Sequence, residues 1–359
     1  MRIAIVSDAW RPQINGVVTT LEKTTEAAHR LGHEVLVVNA SGLRSIPCPS
    51  YPEIRLALRP GRAVREGLQR FAPEAIHIAT EGPLGLAARN YCLRRALPFT
   101  TSYHTQFPDY AQQRWGVPAA LGYAYLKWFH RPAVRTLVGT PTVRANLQAR
   151  GFTHLAHWSR GVDTALFRPD ASARRAAAAR WPRPIMLYAG RVAVEKNLEA
   201  FLGLKLAGTK VIVGDGPARL DLKRRYPDAQ FLGYRFGVEL AEQLAGADVF
   251  VFPSRTDTFG IVMLEAMACG VPVAAFPVQG PLDVVRGGHT GVLHEQLASA
   301  IRGALEINSA PCRAFAQLHT WERCTRQFVG HLAAPAERAT LARSRCTEQG
   351  GAAAIQKAK

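Results

Sequence analysis

The sequence predicts two successive doubly wound α/β domains. Three observations carry this. Short, β-branched apolar runs alternate with stretches of helical periodicity, the links between them are brief, and the alternation runs once, breaks at about residues 160–184, and starts again. A chain of 359 residues suits about two such domains.

In the first round, "RIAIVSD" (2–8) reads as a strand buried on both faces. Val17, Leu21, Ala28 and Leu31 then recur at helical spacing, with Gly32 placed to cap that helix. "EVLVVN" (34–39) completes a strand–helix–strand unit, which demands parallel pairing. Further strands are expected at 75–79, 98–103 and 136–140. The second round has strands at 185–190, 210–214, 229–233, 248–253 and 271–276. Domains are therefore expected at 1–165 and 166–318, with "ASARRAAAARWPRP" the loosest part of the join. Residues 319–333 form an amphipathic helix, and the Ala-, Arg- and Gly-rich tail 334–359 is expected to be frayed. There is no sequence repeat.

Composition narrows the function. With 48% hydrophobic and 20% charged residues, the chain is globular and not disordered. No apolar run approaches the ~20 residues that span a bilayer. The N-terminus reads as a strand, not a signal peptide. The cysteines form neither a CxxC pair nor a CxxC/HxxxH set, which points to reduced cytosolic thiols and to no metal. The net charge is +18, split +10 in residues 1–165 and +8 beyond. An excess so spread suits anionic substrates or anionic lipid heads, or is a compositional habit favouring arginine.

In open α/β sheets ligands sit beyond the carboxyl ends of the strands, so the strand-to-helix turns hold the candidate site residues. Gly16, in "DAWRPQINGVVTT", stands where a backbone amide can approach a ligand; alternatively Asn-Gly is a plain turn. "GRVAVEKN" places Arg191 and Lys196 before a helix expected at about 195–203, a combination suited to a diphosphate. Gly216, in "VGDGP", follows another strand. The full Gly-x-Gly-x-x-Gly fingerprint is missing, which argues against a dehydrogenase. In "TDTFGIVMLEAMACG", Asp257 precedes a helix whose first amides, at Phe259, Gly260 and Ile261, are open to an anion. Glu265 lies within that apolar helix, where a carboxylate can accept two hydroxyls. The structural alternative is that Asp257 caps the helix and Glu265 pairs with an arginine.

These motifs together resemble the retaining glycosyltransferases of family GT4, and within them the GDP-mannose-dependent α-mannosyltransferase branch. The likeness rests on "SDAWRPQINGVVTTL", "TSYHTQFPDY", "RGVDTALFRP", "GRVAVEKN", "VGDGP" and "FPSRTDTFGIVMLEAMACGVPV". The family pattern is Glu-x7-Glu, and here Asp257 stands for the first Glu. The resemblance implies the GT-B fold, two Rossmann-like domains facing a cleft, with helix 319–333 crossing back to the first. By position it implies that Arg191 and Lys196 hold the donor diphosphate. Glu265 would hold the ribose, Asp257 the hexose, and Gly16 would lie near the phosphate. His104, in "SYHTQF", would stand at the sugar's reacting face.

It further implies hexose transfer with retention, no cofactor and no metal. The donor would be GDP-mannose or another nucleoside-diphosphate hexose, and the acceptor a lipid-linked sugar, a lipid or a glycan. Two rivals are a GT-B epimerase or phosphorylase and a non-catalytic basic protein binding nucleic acid or membrane; nucleic acid is not the expected partner. The enzyme is expected in the cytoplasm, peripheral on the inner face of the plasma membrane. Arg59, Arg62, Arg65 and Arg70 are the segment expected to rest on anionic lipid, the first three on one helical face.

Overall fold

The structure, a computed structural model, describes residues 1–48, 51–109, 112 and 116–332; the tail expected to be frayed lies outside them. The first sheet takes β1 (Arg2–Val6), β2 (Glu34–Val38), β5 (Ala75–Ile78), β6 (Thr100–Tyr103), β7 (Arg135–Val138) and β8 (Leu155–His157). Its order is β2-β1-β5-β6-β7-β8, and every pairing is parallel. The helices around it are α1 (Gly16–Arg30), α2 (Gly61–Phe71), α3 (Pro83–Arg94), α4 (Ala119–His130) and α5 (Pro141–Ala149). A separate antiparallel hairpin, β3 (Ser45–Cys48) with β4 (Tyr51–Ala57), interrupts the alternation and was not foreseen.

The second sheet takes β9 (Ile185–Ala189), β10 (Thr209–Val213), β11 (Gln230–Gly233), β12 (Val249–Phe252), β13 (Val273–Ala275) and β14 (Gly291–Leu293). Its order is β11-β10-β9-β12-β13-β14. The helices here are α6 (Ala171–Arg180), α7 (Leu198–Leu202), α8 (Arg219–Arg225), α9 (Gly237–Gly246) and α10 (Ile261–Ala268). After them come α11 (Pro281–Val284), α12 (Leu297–Leu305), α13 (Ser309–Gln317) and α14 (Trp321–His331). Both sheets are wound outward from a central pair, β1/β5 in one and β9/β12 in the other. At such a switch point the loops splay apart and leave a crevice at the strands' carboxyl ends.

The cores follow the pattern. Ile3, Ala4, Ile5 and Val6 of β1 are all buried, as a parallel strand covered on both faces requires. In the second domain α10 sinks into the core through Met263, Leu264, Ala266 and Met267. Helix α14 packs Trp321, Cys324 and Phe328 against Ile3, Ile5 and Leu21, so the last described helix lies on the first sheet.

Two local expectations fail. The segment expected to be loose is helix α6: Asp170 accepts the amides of Ser172 and Ala173 as its cap, and alanine and arginine are strong helix formers. The close fit of α6 to α9 leaves Gly246 no room for a side chain, since a Cβ there would lie 2.8 Å from that of Ala177. The helix expected at about 195–203 splits into a 3₁₀ turn at Val194–Lys196 and the five-residue α7, with Asn197 left-handed between them.

Candidate active site

The loops after β9 and β12 flank the switch point of the second sheet, and they bring two of the candidate residues together. Lys196 Nζ donates to both carboxylate oxygens of Asp257, at 2.7 and 2.9 Å. Both side chains are largely shielded, which strengthens the pair over an exposed one. Arg191 lies in the same turn, its carbonyl accepting from the hydroxyl of Tyr188 at 2.8 Å. Gly216 has a packing reason: a Cβ there would come within 2.4 Å of the Val192 carbonyl, so the "VGDGP" loop lies directly on the Arg191 turn.

Asp257 does not cap α10. The capping position is Gly260, left-handed at φ 79°, with no side-chain bond to the helix. Only glycine fits there, because a Cβ would meet Met263 Cε at 2.8 Å and the Phe252 ring at 2.9 Å. The amides of Phe259, Gly260 and Ile261 make no hydrogen bond within the described residues. The start of α10 is therefore an open set of donors.

Glu265 stands one turn further on. It is half-buried and has no hydrogen-bond or ion-pair partner among the described residues, so the expected alternative of an arginine partner is not realised. Burial pushes its carboxyl up to about 7. A carboxylate so placed lacks the hydroxyls or amides that would make its charge comfortable.

The first domain meets this loop directly. Asn15 caps α1 by accepting the amides of Val17 and Val18, and leaves that of Gly16 open. A Cβ built on Gly16 would lie 3.9 Å from Ile261 Cδ1, so the starts of α1 and α10 face each other across the cleft. Thr258 donates its hydroxyl to the His104 carbonyl at 2.6 Å. Thr142 donates to Asp283, through its amide at 3.2 Å and its hydroxyl at 2.9 Å, and adds a second link between the domains.

His104 is held by a residue that sequence reasoning did not single out. Arg160, from the quoted "RGVD" stretch, is buried and donates to the carbonyls of Trp158 and Ser159. Its Nη2 lies 3.1 Å from Nδ1 of His104. A guanidinium only donates, so Nδ1 accepts and the ring proton sits on Nε2. That Nε2 is buried and unpartnered. Burial, then Arg160, His77 and His130, hold the imidazole well below its ordinary range, so it is neutral at pH 7. His104 is thus a hydrogen-bond donor with its acceptor nitrogen already occupied, not a general base. Burial likewise pushes Arg160 down to about 10.

Among the described residues there is no group of three or more His, Cys, Asp or Glu placed to hold a metal. Two α/β domains face each other across a crevice that holds the uncapped start of α10 and the Lys196–Asp257 pair. The comparisons name the class. The family described as glycosyl transferases group 1 matches residues 183–306, and glycosyltransferase family 4 matches residues 14–166.

A GDP-mannose-dependent alpha-mannosyltransferase from Mycobacterium tuberculosis is 34% identical over 82% of this chain and 83% of its own. A GDP-mannose-dependent alpha-(1-6)-phosphatidylinositol dimannoside mannosyltransferase from the same species is 27% identical over 94% and 97%. Among solved structures, sucrose-phosphate synthase from Thermosynechococcus elongatus superposes with a TM-score of 0.74 at 21% identity, covering 92% of this chain and 97% of that one. The chain belongs to glycosyltransferase family 4, has the GT-B fold and is a glycosyltransferase.

Proposed function

We propose that this enzyme transfers an α-mannosyl group from GDP-mannose to a lipid-linked or glycan acceptor, with retention of configuration. The observation that carries the reading is the Lys196–Asp257 pair beside the open start of α10, faced by His104 and Gly16. The name of the mycobacterial relative at 34% identity supports the donor, and the dimannoside relative supports a lipid acceptor.

In this reading the diphosphate lies against the amides of Phe259, Gly260 and Ile261, with Arg191 and Lys196 completing its charge. Glu265 accepts the two ribose hydroxyls, which supply the donors its carboxylate lacks. Asp257, fixed by Lys196, accepts hydroxyls of the mannose, and His104 Nε2–H donates to another. The bond from C1 to the phosphate oxygen breaks and its electron pair goes to the diphosphate. The acceptor oxygen joins C1 from the same face, and its proton passes to the departing phosphate. Fixed donors aimed at the leaving oxygen stabilise charge where it develops.

A thermal-shift screen of nucleotide sugars tests the donor, because a bound ligand raises stability by RT ln(1 + [L]/Kd). GDP-mannose is expected to give the largest shift, and NMR of the product to show an α-mannoside. Shifts with UDP-sugars alone remove the donor assignment. Turnover of donor to an epimer without acceptor removes transfer.

A further inference from the structure

Two carboxylates stand at the switch point of the first sheet, where β1 and β5 lie side by side. They are used differently. Asp8 is buried and committed to the protein. Its oxygens accept the amides of Leu84 and Gly85, at 2.9 and 3.3 Å, and the hydroxyl of Thr80 at 2.9 Å. Asp8 thereby closes the start of α3, whose own capping residue, Gly82, has no side chain to give. Glu81 is committed through one oxygen only. Its Oε1 lies 3.2 Å from Nε2 of the buried His130, and its Oε2 makes no hydrogen bond or ion pair within the described residues.

The groups behind Glu81 are arranged to hold that carboxylate. His130 Nδ1 lies 2.9 Å from the hydroxyl of Thr101, which lies 2.9 Å from that of Thr136. Thr136 donating to Thr101, and Thr101 to Nδ1, leaves the imidazole proton on Nε2, aimed at Glu81. The Glu81 side chain stays 25% exposed, between the loop that carries Gly16 and the strand that leads to His104.

An aromatic ring lies beside it. Tyr125 of α4 donates its hydroxyl to the Glu81 carbonyl at 2.7 Å, and its ring rests on Trp128 and Phe129, with centroids 5.8 and 6.2 Å away. Phe129 is buried, so the exposed part of Tyr125 is the side turned away from it. A pyranose matches these two surfaces. Its C–H groups settle on the negative face of an aromatic ring, and its hydroxyls donate to a carboxylate.

Charge narrows the ligand further. Arg89, 3.9 Å over the Trp128 ring, donates to the carbonyls of Trp128 and Phe129, at 3.0 Å each. The arginines expected on one face of α2 are divided: Arg62 is tied to Glu66 at 2.7 Å, and Arg59 lies before the helix in a left-handed turn. Among the described residues neither Asp8 nor Glu81 has a lysine or arginine partner. An anion set against Glu81 would therefore meet like charge without a counter-charge.

We infer that Glu81 and Tyr125 form a subsite for an uncharged pyranose of the acceptor, and that Glu81 turns away a phosphorylated one. Tyr125 carries the ring and Glu81 accepts its hydroxyls. This names the kind of acceptor for the transfer proposed above and rests on that reading.

The test is saturation-transfer NMR of the full chain, with GDP present, against methyl α-mannopyranoside and its 6-phosphate. It needs no turnover, so the two readings fail separately: binding without transfer removes the transfer, and transfer without this binding removes the subsite. The neutral glycoside is expected to bind about tenfold more tightly than the phosphate. Tyr125→Ala should weaken it about tenfold. Glu81→Gln should weaken it several-fold and narrow the gap to the phosphate. Glu81→Lys should reverse the preference, a gain that misfolding cannot mimic; if that variant does not fold, the nearly isosteric Glu81→Gln decides. The inference is overturned if the neutral glycoside does not bind, if the phosphate binds wild type equally well, or if the Glu81 and Tyr125 variants bind as wild type does. It is equally overturned if Asp257→Ala removes the signal and Glu81→Gln keeps it, which would place the sugar in the donor pocket.

Discussion

The two helix starts that face each other across the cleft are finished in opposite ways. Helix α1 is closed by Asn15, which takes two of its free amides, and Arg11 nearby is tied to Glu22. Helix α10 begins at a glycine that has no side chain to give it, and the lysine beside it leans on Asp257. A helix start capped from within owes nothing to a ligand, whereas an uncapped one has donors waiting for an anion. The second domain therefore supplies charge and open amides. In the proposed reading the first domain adds the one amide that Asn15 leaves open at Gly16, a donor histidine and the shape of the wall.

The largest expected effect comes from removing the charge on the second-domain side. Lys196→Ala should lower turnover by about 10²–10³, the loss typical of one group aimed at developing negative charge. Asp257→Ala separates the two partners. It should also cripple transfer, yet leave GDP binding intact or slightly tighter, because Lys196 is then released to the diphosphate. If GDP affinity falls along with transfer, Asp257 is not a sugar ligand and the division between them breaks.

Glu265→Gln gives the next effect, and its sign is set by the raised carboxyl. Between the ordinary carboxylate range and about pH 7 the folded chain keeps a proton that the unfolded chain has lost, so the group lowers stability progressively as pH rises to about 7. Glu265→Gln should thus raise the melting temperature of the ligand-free enzyme at about pH 8, by a gain on the order of 2–3 kcal/mol, and do little near pH 4. The same change should weaken nucleotide binding. Paired melts across this range decide it, and a melting temperature lowered at high pH would show that Glu265 has a partner.

On the first-domain side, Arg160→Met should free Nδ1 of His104 and let the other tautomer form. The readout is the ring ¹⁵N pattern of histidine-labelled protein, with His104→Gln to assign the signal. Wild type should show the Nε2–H form at neutral pH, and Arg160→Met a mixture. Turnover should fall about tenfold, the worth of one hydrogen bond of ~1.4 kcal/mol, with KM for donor little changed. Arg160→Lys should restore part of both. A purely structural Arg160 would lower the melting temperature and leave the tautomer alone.

Much of this was legible in the sequence, and the residues show why. Strands such as "RIAIV" and "IMLYA" read clearly because a parallel strand covered on both faces is apolar throughout. Asp257, Phe259, Gly260 and Glu265 sit within one short stretch, so their motif is local. What the sequence hid was contact at a distance: the Lys196–Asp257 bond joins residues 61 apart, across a switch point that only the strand order defines. Arg160 escaped because a buried arginine in a loop has no period to betray it. The hairpin β3–β4 escaped because Pro47 and Pro52 make its strands read as turns. Helix α6 was misjudged because Ala- and Arg-rich sequence looks like linker until its Asp170 cap is counted.

The smallest effect is the most direct test of what the first domain contributes. Gly16 opens α1 with an ordinary backbone conformation, and a Cβ there would meet nothing closer than Ile261 Cδ1 at 3.9 Å, which is van der Waals contact. Gly16→Ala should therefore fold without strain and gain up to about 0.5–1 kcal/mol, from helix propensity and a stiffer unfolded chain. If the Gly16 amide touches the donor phosphate, the added methyl group stands between helix and ligand. The variant should then melt higher without ligand but show a smaller shift with GDP-mannose, by several-fold in apparent Kd. That opposition of signs separates a ligand-facing glycine from one with no ligand role, which would melt higher yet bind donor as before. A variant that melts higher and binds donor as well as wild type would leave the first domain with His104 alone as its contribution, and the contrast between the two helix starts would then be complete.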